Sequence, residues 1–326
     1  MFLKEANFSI WCDFIEREFL QKEFPKLVKN NIVNGATSNP AIFKEAFLKS
    51  KAYKEDIEAL KKEDKKRVYE KLAIKDIQKA ADILMPLYEK EDDGFVSIEV
   101  DPFLCDDAKG TIKEGKRLFK EIARENVMIK IPATDAGYEA MRELSKEGIN
   151  VNATLVFSKE QAKNSFLALR EGIEKSPKNT KGVISVFVSR FDRKLDLILK
   201  EKNLPKGLYG IMNASEIYLE IEKEGFKNIK TLFASTGVKG DNYPKDYYIK
   251  NLLYKNTVNT APLNTIEAFL KNEEFKVKNP PSKDEIERFF SLMEKNGIKR
   301  EEITKTLTKE GIEAFKKAFL EILQNL

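Results

Sequence analysis

The chain of 326 residues contains no histidine. That absence removes every mechanism in which imidazole is the base, the Ser-His-Asp and Cys-His arrangements included. It also removes histidine-ligated zinc and the usual non-haem iron triad. Proton transfer near neutral pH must fall to Asp, Glu, Lys, Tyr or Cys with shifted pKa values, or to water. Cysteine is scarce. Cys12 and Cys105 are too few for a four-thiolate zinc site or a disulfide framework, which fits a reduced, cytosolic compartment. No metal and no cofactor are expected. There is no run of about 18 apolar residues, so no membrane span is expected. Met1-Phe2-Leu3-Lys4-Glu5 lacks the basic start and apolar stretch of a signal peptide. A large charge of one sign is missing too: Lys+Arg 58 against Asp+Glu 53 leaves +5. Mixed runs such as Lys61-Lys62-Glu63-Asp64-Lys65-Lys66-Arg67 read as a solvated helix face. A nucleic-acid partner would need basic residues gathered on one surface, and none is expected.

What is present is a soluble globular balance, with 42% hydrophobic and 34% charged residues. A chain of this length buries a sizeable core without staples. Short β-rich segments recur at residues 9–14, 32–36, 95–100, 127–131, 150–157, 183–188, 208–212 and 229–234. Between them the apolar residues take helical spacing, as in Ile112, Leu118, Phe119 and Ile122, or Ala162, Phe166, Leu169 and Ile173. Strands alternating with helices imply parallel pairing through βαβ crossovers. Eight such units predict an α/β fold of the (β/α)8 TIM-barrel type. Two stretches exceed the minimal unit. Residues 44–88 are long, charged and helical, and residues 284–326 lie beyond the last expected strand. In the latter, Ile312, Phe315, Phe319, Ile322 and Leu323 form an apolar stripe, so added helices should pack on the barrel. A single domain over 1–326, including a helical extension at 284–326, is the expectation.

Barrel strands are buried on both faces and should read apolar throughout. Several of these segments break that rule at one parity. Ser97 and Glu99 lie opposite Val96, Ile98 and Val100, and Lys130 lies opposite Val127, Ile129 and Ile131. Asn152 and Thr154 share a face, as do Ser185 and Phe187, and Asp13 falls on Trp11's side, away from Ile10 and Cys12. The apolar sets can cover the sheet beneath its helices. The polar sets then point into the barrel, toward the end where barrel active sites are built. A buried lysine without a partner is very costly, so it pairs or loses its proton. One reading is a Lys130–Glu99 ion pair that merely stabilises the barrel mouth, although buried pairs stabilise poorly beside apolar packing. The other is an amine nucleophile with acid–base partners. A lysine kept neutral by desolvation attacks a ketone to give a carbinolamine and then a Schiff base. The iminium is an electron sink that permits C–C cleavage without metal or histidine. Asp13 suits deprotonation of the reacting hydroxyl. Glu99 with Thr154 can hold the water that dehydrates the carbinolamine, and Asn152 can bind a substrate hydroxyl.

With these residues in view, the sequence resembles the transaldolase family of class I Schiff-base aldolase-type enzymes, in one bacterial subgroup. The likeness is carried, in order, by Ser9-Ile10-Trp11-Cys12-Asp13, Gly35-Ala36-Thr37-Ser38-Asn39-Pro40-Ala41-Ile42-Phe43 and Val96-Ser97-Ile98-Glu99-Val100. It continues in Met128-Ile129-Lys130-Ile131-Pro132-Ala133-Thr134, in the run from Gly148 to Phe157, and in Ile184-Ser185-Val186-Phe187-Val188-Ser189-Arg190. Ala234-Ser235-Thr236-Gly237-Val238-Lys239 is similar to the family's eighth-strand motif, and the resemblance runs to about Phe269. Each motif is weak alone; their order, with a lysine on the fourth strand, is the specific signal.

The resemblance implies a transferase of the pentose phosphate pathway that moves a dihydroxyacetone unit between phosphorylated sugars. It implies Lys130 as the Schiff-base lysine, Asp13 as acid–base, and Glu99 with Thr154 at the catalytic water. Asn39, Asn152, Ser185 and Phe187 would meet the substrate, and Arg190, Ser235 and Lys239 its phosphate. The family commonly places an arginine shortly after the eighth-strand serine. Here Thr236-Gly237-Val238 precede Lys239, which makes that assignment a departure. A homodimer and a cytoplasmic location are also implied. Simpler readings stand beside these. Asn39-Pro40 is a normal helix start, Ser235-Thr236-Gly237 could be only a turn, and Arg190 could pair with Asp192 or Asp196. Cys12, Tyr209 and Phe233 read as core. Two other functions stay open. One is an aldolase of the fructose-6-phosphate type that releases free dihydroxyacetone; those enzymes are shorter and carry tyrosine where Phe187 stands. The other is a non-catalytic phospho-sugar-binding barrel.

Overall fold

The predicted alternation of strand and helix closes as a parallel barrel. The computed structural model describes residues 2–271 and 275–326. Its strands are β1 Phe2–Leu3, β2 Phe8–Cys12, β3 Gly35–Thr37, β4 Phe95–Glu99, β5 Val127–Pro132, β6 Asn150–Val156, β7 Gly182–Phe187, β8 Ile229–Ala234 and β9 Thr257–Ala261. β2 to β9 pair in sequence order, and β9 returns to β2, with Ser9 opposite Val258 and Cys12 opposite Ala261. That closes an eight-stranded parallel barrel and leaves it without edges. β1 adds to β2 in the antiparallel sense.

The helices are α1 Arg17–Lys22, α2 Phe24–Lys29, α3 Pro40–Lys49, α4 Lys54–Leu60, α5 Lys65–Tyr88, α6 Ala108–Ile122 and α7 Asp135–Lys146, followed by α8 Lys159–Ile173. Then come α9 Ser189–Glu201, α10 Tyr209–Glu222, α11 Tyr247–Asn251, α12 Leu263–Leu270, α13 Lys283–Lys295 and α14 Arg300–Asn325. Their starts are written locally. Asp107 caps α6, Thr134 caps α7, and Ser158 with Gln161 makes a capping box on α8, each cap contributing about 1 kcal/mol. No helix among the described residues is long and apolar enough to cross a membrane.

Two expected strands need correction. Residues 208–212 are not a strand, because Tyr209 opens α10. Their apolar run continues as Ala214, Ile217, Tyr218 and Ile221, all buried on one helical face, and a short apolar run does not by itself separate a buried strand from a buried helix. The closing strand is Thr257–Ala261, which escaped notice because Thr257, Asn259 and Thr260 break its apolar pattern. The segment 229–234, expected as the eighth barrel strand, is therefore the seventh. The second barrel strand spans Gly35–Thr37 rather than 32–36.

The two-sided parity of the strands appears as two cores. Ile10, Cys12, Val96, Ile98, Ile129, Ile131, Val151 and Ile184 form the layer under the helices. Trp11, Phe95, Met128, Val183, Leu232 and Val258 fill the barrel interior toward its N-terminal end. Trp11 is fully buried and donates Nε1–H to Asp93 at 3.0 Å. Gly35 sits against its indole: a Cβ there would lie 2.6 Å from Trp11 ring atoms. The helical extension packs as expected. Phe315, Phe319 and Ile322 of α14 are buried, and the helix runs against α3, α5, α9 and the end of β6. It therefore crosses the C-terminal mouth of the barrel.

Candidate active site

The mouth gathers the inward polar residues of several strands. Lys130, on β5, is 4% exposed. Parallel register sets Glu99 on one side of it and Asn152 on the other. Lys130 Nζ donates to the Ser38 carbonyl at 3.0 Å and stands 3.6 Å from Glu99 Oε2. The expected ion pair is thus present, yet it is a poor stabiliser: Oε2 makes no hydrogen bond among the described residues. Burial pushes the Glu99 carboxyl up to about 7, against the pull of Lys130. A carboxyl raised toward neutrality is suited to proton transfer. Thr154, on the neighbouring strand, carries a second buried oxygen without a partner among the described residues. Buried polar atoms are normally bonded to protein or ordered water.

Asp13 lies one residue past β2. Its backbone N–H donates to the Ala261 carbonyl at 2.9 Å, and its Oδ1 accepts from Thr37 at 2.6 Å. Thr37 Oγ1 is also 2.6 Å from Thr260 Oγ1. Burial raises the Asp13 pKa, while Lys130 and the Thr37 hydroxyl draw it down. Lys130 thus lowers both carboxyls, and the charge of Asp13 raises that of Glu99. Below them a buried chain crosses the barrel: Ser185 Oγ donates to Asn152 Oδ1 at 2.7 Å, and Asn152 Nδ2 donates to Ser97 Oγ at 3.3 Å.

Arg190, in the first turn of α9, lays its guanidinium 4.9 Å over the Phe187 ring and 5.9 Å from that of Phe157. Burial, then the nearby Arg193, lowers its pKa to about 10. It does not pair with Asp192 or Asp196. Asp192 accepts from Gly210 N–H and Tyr248 O–H, and Asp196 from Gly207 N–H and Tyr243 O–H. Ser235 follows β8 in a left-handed conformation (φ 55°), and its carbonyl accepts from Ser189 N–H at 3.0 Å. Lys239 is exposed and lines a cleft of about 510 Å³ with Ser189, Arg193, Lys200 and Lys206. Ser189, which shares that cleft, has its Oγ 3.3 Å from Ser235 Oγ. Asn39 caps α3, its Oδ1 accepting from Ile42 N–H at 3.1 Å. Cys12, Tyr209 and Phe233 are fully buried, as read.

Three contributors escaped the sequence reading. The Ser38 carbonyl, held by Ser38 hydrogen bonds to the Ser97 carbonyl, is a backbone group with no residue signal. Thr37 joins Asp13 to β9 only once the barrel closes. Phe315, read only as packing, places its ring centroid 5.9 Å from Lys130 Nζ.

Asp192 supports a prediction of its own. It is 1% exposed, and burial raises its carboxyl to about 7. An acid whose folded pKa exceeds its unfolded value near 4 favours the fold while protonated. The penalty for ionising it grows from about pH 4 and is complete above about pH 7. Asp192→Asn keeps the acceptor for Gly210 and is expected to raise Tm more at pH 8 than at pH 5. Equal shifts at both pH values would contradict the assignment.

Comparison with known proteins adds the following. Residues 10–326 match the family model described as transaldolase/fructose-6-phosphate aldolase, well past Phe269. A protein from Campylobacter jejuni subsp. doylei named transaldolase is 51% identical over 331 residues, covering 98% of this chain and 99% of that protein. One of the same name from Helicobacter pylori is 46% identical over 320 residues, with the same coverage of each.

Proposed function

Since the chain belongs to the transaldolase/fructose-6-phosphate aldolase family, we propose that its mouth carries out transaldolase chemistry, with Lys130 as the residue that bonds to substrate. The observation that carries the reading is an amine buried to 4% exposure between a backbone carbonyl and a carboxylate. Lys130 Nζ attacks the keto carbon of a ketose phosphate such as sedoheptulose 7-phosphate or fructose 6-phosphate. Glu99 and Thr154 hold the water through which the carbinolamine hydroxyl gains a proton and leaves, giving the iminium. Asp13 takes the proton of the hydroxyl carried by the far carbon of the breaking bond. The C–C bond then breaks, its electron pair passes into the iminium as an enamine, and the aldose phosphate departs. Glyceraldehyde 3-phosphate or erythrose 4-phosphate enters, the enamine carbon attacks it, and Asp13 returns the proton. Water finally frees Lys130.

Asn39, Asn152 and Ser185 bind the sugar hydroxyls, and Phe187 walls the site. Arg190, Ser235 and Lys239 bind the phosphate, an arginine fork being suited to that group. The whole chain, α13 and α14 included, is one catalytic domain, acting in the cytoplasm as a homodimer on phosphorylated sugars. Transfer is favoured over release of free dihydroxyacetone by the phenyl ring of Phe187, which cannot activate water as a phenol could. The test is borohydride with fructose 6-phosphate alone. A three-carbon adduct on Lys130, located by peptide mapping, is expected; an unchanged protein mass would defeat the reading.

A further inference from the structure

α14 meets the barrel mouth along Leu307, Gly311, Phe315 and Phe319, one step every turn, all buried. The approach at Gly311 leaves no room for a side chain. A Cβ there would lie 2.9 Å from Leu155 Cδ2 and 3.1 Å from Arg190 Nη1. A glycine inside a helix costs about 1 kcal/mol relative to alanine, and here it allows the helix to rest directly on the mouth. One turn later the Phe315 ring, 5% exposed, comes over Lys130 Nζ. Another turn on, Phe319 leaves the amine and packs on Tyr69 (centroids 5.0 Å apart) and Phe103 (6.5 Å). Ion pairs tie the helix down on both sides of the mouth: Lys194 with Glu310 at 2.7 Å, and Lys44 with Glu321 at 3.0 Å.

We propose that Phe315 is a positioning residue that keeps water from the Schiff-base intermediate and so, beside Phe187, favours transfer of the three-carbon unit over its release. This rests on the function proposed above. After cleavage the enamine has two fates. Attack on an acceptor aldehyde needs no added water. Release requires protonation of the enamine carbon, addition of water to the C=N carbon, and cleavage of the C–N bond, which returns the Lys130 amine and free dihydroxyacetone. The apolar ring covers the amine on the side facing α14 and denies bulk water that approach. The water used in turnover stays with Glu99 and Thr154, whose buried oxygens have no protein partner among the described residues.

The experiment compares dihydroxyacetone released from fructose 6-phosphate without acceptor against transfer to erythrose 4-phosphate, in wild type, Phe315→Ala, Phe315→Leu and Phe319→Ala. Phe315→Ala is expected to raise the release-to-transfer ratio about tenfold. Phe315→Leu, which restores apolar bulk, is expected to return it toward wild type. Phe319→Ala loosens the same helix away from the amine and is expected to leave the ratio unchanged. An unaltered ratio in a folded Phe315→Ala protein overturns the proposal. So does an equal rise in Phe319→Ala, which would assign the effect to general loosening of α14. Borohydride trapping of wild type separates the two levels. No adduct on Lys130 removes the underlying function, whereas an adduct with an unaltered ratio removes only the role of Phe315.

Discussion

Lys130→Met is expected to abolish both turnover and borohydride trapping, with kcat lowered on the order of 10⁵-fold or more, since no other group can form the covalent intermediate. A fructose 6-phosphate plus erythrose 4-phosphate assay, run beside intact-protein mass spectrometry, checks it. The fold should survive. Methionine matches the length of the lysine stem and suits the ring of Phe315, 5.9 Å from Nζ in the native chain. The partner left behind is Glu99, whose carboxyl burial already holds at about 7 against the pull of Lys130. Without that pull its pKa rises further, so it stays protonated in the folded state over a wider range. The sign follows directly. A carboxyl raised by folding adds stability while protonated and loses it as pH climbs through the folded value. Lys130→Met should therefore lose more Tm at pH 9 than at pH 6, measured by thermal melts at both. Retained turnover, or an adduct still formed in the variant, would end the case for Lys130. A non-catalytic sugar-binding barrel would instead show binding untouched by this substitution and no turnover in the wild type.

Asp13→Asn should separate two steps that Lys130→Met removes together. The amide cannot take the hydroxyl proton, so cleavage and addition should slow by roughly 10²–10⁴ in kcat. Condensation with Lys130 does not need Asp13 and should continue. Trapping the variant with fructose 6-phosphate should leave the whole phosphorylated six-carbon sugar on Lys130, where wild type retains only the three-carbon fragment. Asparagine keeps an oxygen for the Thr37 hydroxyl, which lies 2.6 Å from Oδ1, so the site should hold its shape. A three-carbon adduct formed at the wild-type rate would show that another base serves the cleavage step.

Much of this site could be read from strand parity. In Val96-Ser97-Ile98-Glu99-Val100 and Val127-Met128-Ile129-Lys130-Ile131 the alternation separates a layer under the helices from the barrel interior. The same period predicts that Glu99 and Lys130 face inward, and they pair in register. The readings that went astray share a cause. Residues 208–212 are short and apolar enough to serve as strand or helix, and they form the first turns of α10. Thr257–Ala261 carries too many polar residues to resemble a buried strand, and it is one only because β2 and β8 lie on either side of it.

The amino-acid sequence by itself determined the histidine-free chemistry, the alternation of strand and helix, and which side of each strand is polar. These follow from composition and from the period of two in an extended chain, both local properties. Tertiary structure alone decided what else lies near the amine beside Glu99: the Ser38 carbonyl and the ring of Phe315, drawn from segments far apart in the chain. It also decided that α14 lies across the mouth, against a glycine-sized gap. Such contacts depend on barrel closure and helix docking, and no local pattern of residues encodes the distance between two segments that meet only after folding.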